Sequence, residues 1–127
     1  QDNINTYFRN TSAPTNFYIG LGNGTTPAET ATLATITEVT GTGYARQLLN
    51  RNTTDWGAPV LDSGDYQTTS ATVNFNATGT WTTANYMFLS DVSSGTGGDL
   101  LVAVALGTAR TLVDGDSLAV DLTVKLQ

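Results

Sequence analysis

From Leu118 to Leu126 apolar residues stand at every second position: Leu118, Val120, Leu122, Val124 and Leu126, with Ala119, Asp121, Thr123 and Lys125 between them. A two-residue period belongs to a strand with one face buried and the other wet. Shorter versions recur along the chain. Thr69, Ala71, Val73 and Phe75 alternate with Ser70, Thr72 and Asn74; Phe17 to Leu21 reads as a first strand, and Trp81 to Leu89 as one running into the middle of the fold. Leu100 to Leu106 is apolar on both sides, the pattern of a central strand. Between these runs lie turn signals: Gly22-Asn23-Gly24, Asp62-Ser63-Gly64-Asp65, Asn76-Ala77-Thr78-Gly79 and Asp114-Gly115-Asp116. About eight strands at short intervals predict an all-β, single-domain antiparallel sandwich, of which the jelly roll is one form. Threonine, β-branched and suited to strands, supplies about a fifth of the residues.

At 127 residues of even texture the chain is one domain, long enough to bury roughly two-thirds of its unfolded surface without a staple. It has no cysteine, which excludes disulfides and thiolate metal sites. A net charge of −6 is the wrong sign for a phosphate-binding surface, so direct contact with nucleic acid is not expected. No apolar run approaches the roughly 20 residues of a membrane helix, and no membrane association is expected. The absence of a methionine at Gln1 suggests that native residues precede it.

Residues 1–16 form an N-terminal arm ahead of the sandwich at 17–127. Ile4, Tyr7 and Phe8 recur at a spacing that suits a short amphipathic helical turn ended by Ser12-Ala13-Pro14. Two placements are open: packing on the domain's own core, or reaching to a neighbouring subunit. In the polar Asn50 to Gly57 stretch, Trp56 either folds back or anchors an interface, where tryptophan is enriched.

Two long charged side chains, Glu38 and Arg46, flank a glycine-broken turn. A three-residue loop from Gly41 to Gly43 predicts a hairpin of Leu33–Thr40 with Tyr44–Leu49, placing Glu38 opposite Arg46 and Thr40 opposite Tyr44. The pair is either an ordinary surface ion pair or a partly dry one, where arginine's planar fork is favoured.

Gly43-Tyr44-Ala45-Arg46-Gln47, preceded by Thr37-Glu38-Val39, resembles a segment of small virion structural proteins of tailed bacteriophages. The resemblance extends over the arm, the proline, Asn16 to Leu21, Trp81, the small residues before Leu100-Leu101, and Asp114-Gly115-Asp116. It implies a particle component of capsid decoration (cement), head-fibre or tail-fibre type. The expected role is decoration: a subunit on the outer surface of the virion head, assembled in the host cytoplasm and bound to the major capsid protein. There it would add burial that must be broken before a shell under DNA pressure opens. The alternative is a tail-fibre or head-fibre module that binds host surface glycans. Threonine-rich, lysine-poor strands would leave an edge prone to pairing, and a homotrimer is the expected cover for it. Tyr7, Phe8, Glu38, Tyr44, Arg46, Gln47 and Trp56 are the expected interface residues.

Catalysis is not expected. The chain has no histidine and no cysteine, which removes the usual proton shuttle and nucleophile relays. Paired carboxylates would have to face each other across a cleft at about 5–10 Å. Asp62 with Asp65 and Asp114 with Asp116 are the candidates, and both pairs sit beside glycine, where aspartate forms turns. Neither stretch has the ligand spacing of a calcium loop, so no metal or cofactor is expected. Trp56, Trp81, Tyr66 and Tyr86 are candidates for stacking on sugars, with core packing the preferred reading.

Overall fold

The computed structural model describes residues 16–28 and 30–126. Nine strands follow in order: β1 (Asn16–Gly22), β2 (Gln47–Asn50), β3 (Val60–Asp62), β4 (Asp65–Thr69), β5 (Val73–Asn76), β6 (Ala84–Ser90), β7 (Leu100–Arg110), β8 (Ser117–Val120) and β9 (Thr123–Leu126). No helix occurs among the described residues. The expected arm residues Tyr7 and Phe8 lie outside them.

One layer is a four-stranded sheet of order β2-β1-β6-β7; the other contains the ladders β3-β4-β9 and β5-β8, all pairs antiparallel. The second layer's two ladders are parts of one pairing. Thr69 lies opposite Thr123 and Val73 opposite Val120, so the chain gains one residue between them, the two-against-one count of a β-bulge. Ser70 fills the break: its N–H donates to the Leu122 carbonyl (2.8 Å) and its Oγ accepts from the Leu122 N–H (2.9 Å). The all-β sandwich expected from the alternation is therefore present. Leu118, Val120, Leu122 and Val124 face the core, while Ala119, Asp121, Thr123 and Lys125 are exposed.

The main core joins the two layers. Ile19, Leu21, Leu49, Met87 and Leu89 meet Val73, Phe75 and Leu122, with Trp81 and Leu112 beside them. The other face of the four-stranded sheet is covered too, by Leu33 and Ile36 packed against Tyr86 and Phe88. β6 is thus the strand buried on both sides. Gly20 and Gly22 make room for its rings, since a Cβ at either position would overlap Phe88 or Tyr86. A glycine within a strand signals such a close approach.

Four expectations are corrected. Leu33–Thr40 is not a strand: Thr35 donates to the Thr32 carbonyl through both its N–H (3.0 Å) and its Oγ1 (2.9 Å), a local alternative to a ladder. The predicted hairpin is consequently absent. β7 is an edge strand and not a central one; it is apolar on both sides because each face of its sheet carries a cluster. Trp81 precedes β6 instead of belonging to it. The turn at Asp114-Gly115-Asp116 does not close the hairpin of Arg110–Val113 with Leu118–Leu126 that its sequence predicts, because β8 takes β5 as its partner and the Leu112 carbonyl accepts from the Trp81 N–H (2.9 Å).

Candidate functional site

β1 is the template on which the Glu38–Arg46 region is assembled. Phe17 to Ile19 pair with Leu49 to Gln47, and further along the same edge Gly22 pairs with Glu38. The N–H of Val39 donates to the Leu21 carbonyl (2.9 Å) and that of Asn23 to the Thr37 carbonyl (2.8 Å). Segments 37–39 and 47–50 therefore lie end to end along β1, with residues 40–46 as an excursion between them. Glu38 and Arg46 meet across the base of that excursion and not across a hairpin.

Every donor of the Arg46 guanidinium is used. Nε and Nη2 reach Glu38 Oε2 and Oε1, both at 2.9 Å; Nη2 also reaches the Gly95 carbonyl (2.9 Å), and Nη1 the Val92 carbonyl (3.1 Å) and Ser90 Oγ (3.4 Å). The guanidinium carbon lies 5.3 Å from the centroid of the Phe88 ring, a cation–π distance. Burying a cation costs several kcal/mol unless it is paired and hydrogen-bonded, and here it is both. The Tyr44 hydroxyl donates to Glu38 Oε2 (2.6 Å) and accepts from the Leu21 N–H (2.9 Å). Burial, reinforced by the hydrogen bond to the Glu38 carboxylate, holds this phenol well above its ordinary pKa. Its ring stacks on Phe75 (6.1 Å between centroids) and meets the edge of Trp81 (5.3 Å). Chemically the cluster is a lock, joining the loop after β6 to β1 and to the core.

Gln47 lies beside this cluster without joining it; its amide donates to the Ala45 carbonyl (2.9 Å). Trp56 stands elsewhere. It folds back edge-on against Phe17 (5.9 Å) and, with Leu89, Val124 and Thr68, lines an apolar groove of about 440 Å³. Its indole N–H is buried and finds no acceptor among the described residues. Trp81 and Tyr86 are core residues, with no face free for a sugar. Asp62 and Asp65 flank the β3–β4 turn, and Asp116 Oδ2 accepts from the Val113 N–H (3.0 Å). These are turn-forming roles.

The surface that sequence reasoning did not single out is the β3–β4 hairpin. Val60, Leu61 and Tyr66 are 54%, 62% and 59% exposed, three of the five large apolar residues so exposed among those described. Leu61 lies directly across from Tyr66 on one face. Ser63 (φ 52°) and Gly64 (φ 90°) form the left-handed two-residue turn that matches strand twist, and Ser63-Gly64 between Asp62 and Asp65, with Leu61 and Tyr66 outside them, was the available signal.

A family model described as "Podophage GP4 fiber I protein gp80" matches residues 1–124. The chain belongs to that family. It is accordingly a phage virion structural protein. No curated protein matches the chain significantly. For this fiber I family member, the buried arginine cluster is a feature of the fold, and the hairpin carries most of the large exposed apolar residues among those described.

Proposed function

We propose that the protein is a fibre subunit of a phage particle, non-enzymatic and self-associating, in which a stable β domain is repeated to build a projection. The family description, matched over nearly the whole chain, carries this reading. It favours the fibre alternative over the decoration role that the sequence first suggested. In support, the strongest electrostatic arrangement, Glu38–Arg46–Tyr44, is spent inside the subunit, while the large exposed apolar residues concentrate on one hairpin. That distribution suits a rigid building block. The subunit is a trimer seated on the virion surface, with the major capsid protein as the neighbour expected at a head attachment. Gold-labelled antibody on purified virions tests the assignment. Label on slender projections is expected, whereas an even coat over the head facets would restore the decoration reading. Label absent from intact particles would overturn both.

A further inference from the structure

We propose that copies of this chain join through the β3-β4-β9 sheet, the β3 edge of one copy adding to the β9 edge of the next. Leu61 and Tyr66 of every copy then lie on the enclosed face. The inference rests on the self-association in the fibre reading and names the surface that performs it.

The sheet has two ends, and among the described residues both are open. Among the described residues β3 pairs only with β4, and β9 only with β4. A sheet with two free edges offers two different rows of backbone donors and acceptors, and contacts between unlike edges close into a ring when the rotation permits. The other large exposed apolar side chains among the described residues, Leu48 and Val113, lie apart from this sheet.

The charges are complementary. β3 ends on Asp62 and β9 carries Lys125, the chain's only lysine. Both project from the face opposite Leu61 and Tyr66, because Val60 and Lys125 each lie opposite Gln67. Within one chain Lys125 Nζ already reaches Asp62 Oδ2 at 3.1 Å, which requires both side chains to span β4. Neighbouring strands are about 4.8 Å apart, so that reach covers two spacings, roughly 10 Å. In the joined arrangement the next copy's Asp62 stands one spacing from Lys125. The polar face thus gains a shorter pairing while the apolar face loses its water.

Among the described residues nothing covers Leu61 and Tyr66. The same face of the sheet packs on the core at Val124, but beyond Thr68 toward the β3–β4 turn the side chains are exposed. Three such hairpins around an axis would bury them against one another.

The test uses the full chain and two variants. Light scattering at micromolar concentration should give three chain masses for the unaltered protein and one for Leu61→Ser/Tyr66→Ser, whose altered side chains are exposed in the single subunit. The second variant is Asp62→Cys/Lys125→Cys, at the two positions that face each other across the proposed joint. Its cysteines lie across β4, roughly 10 Å apart, beyond the roughly 7 Å limit for a disulfide within one chain. Oxidation should therefore produce a covalent ladder that stops at three chains. An unaltered protein that stays trimeric in the serine variant and yields no ladder would overturn this surface while leaving the fibre reading intact. A solitary unaltered chain would overturn both.

Discussion

Arg46 and Glu38 meet at two points, Nε to Oε2 and Nη2 to Oε1, each 2.9 Å, with the arginine side chain 4% exposed and the glutamate 28%. The glutamate keeps a wet edge while the arginine is closed off by Phe88 and the 92–95 carbonyls. Removing the arginine strands a carboxylate beside a buried tyrosine. Arg46→Ala is expected to cost about 3–5 kcal/mol, the range for breaking a buried pair from one side. Arg46→Lys should recover little, because one ammonium cannot serve two carboxylate oxygens and two carbonyls from the same position. Urea denaturation checks both. An Arg46→Ala midpoint within error of the unaltered protein would show that the pair is idle.

Tyr44 sets an alkaline limit. Its folded pKa is raised above the unfolded value of about 10, so the folded state holds the proton longer than the unfolded one. Its contribution is complete below pH 10 or so and is lost as pH rises toward the folded value. The melting temperature should decline above that pH, and more shallowly in Tyr44→Phe. Tyr86, shifted upward chiefly by burial, leaves part of the slope in place. Identical slopes for the two proteins would contradict the assignment.

Gly22 is held by a ring and not by its dihedral angles. A methyl group there overlaps Tyr86, which is also packed beneath Leu33. Gly22→Ala should cost about 1–3 kcal/mol, as overpacking in a filled core does. Adding Tyr86→Leu to that variant should return part of the loss, and a calorimetric double-mutant cycle reads the coupling.

Ser70 stands where the second layer's ladder breaks. Ser70→Ala leaves the buried Leu122 N–H without its acceptor, a loss of about 1–3 kcal/mol. Amide exchange at Leu122 should accelerate more than at Phe75. Uniform acceleration would mean that the effect is global and not local to the break.

The alternation from Leu118 to Leu126 revealed the second layer because side-chain period survives a bulge: Leu122 still faces inward although neither strand is continuous there. Glu38 and Arg46 were legible as a pair because few other long charges exist. Their route to each other was not. A glycine-rich turn between β-prone segments describes a hairpin and an excursion along a third strand equally well, and only β1, lying some 20 residues upstream, decides between them. Leu100–Leu106 misled for a related reason: apolarity on both sides reports covered faces, not neighbours on both edges. The exposed hairpin escaped notice because Leu61 and Tyr66 are ordinary strand residues until their lack of cover is seen.

Arg46 also ties down a loop it does not belong to. By gripping the Val92 and Gly95 carbonyls, while Asp91 Oδ1 accepts the Asp99 N–H at 2.7 Å, the fold secures the first half and both feet of the 91–99 segment and leaves open space around Gly97, at its crown. A foreign peptide spliced between Thr96 and Gly97 should therefore be carried without disturbing the domain, with an unchanged melting temperature as the check. That makes this crown the natural grafting point for decorating the particle with cargo.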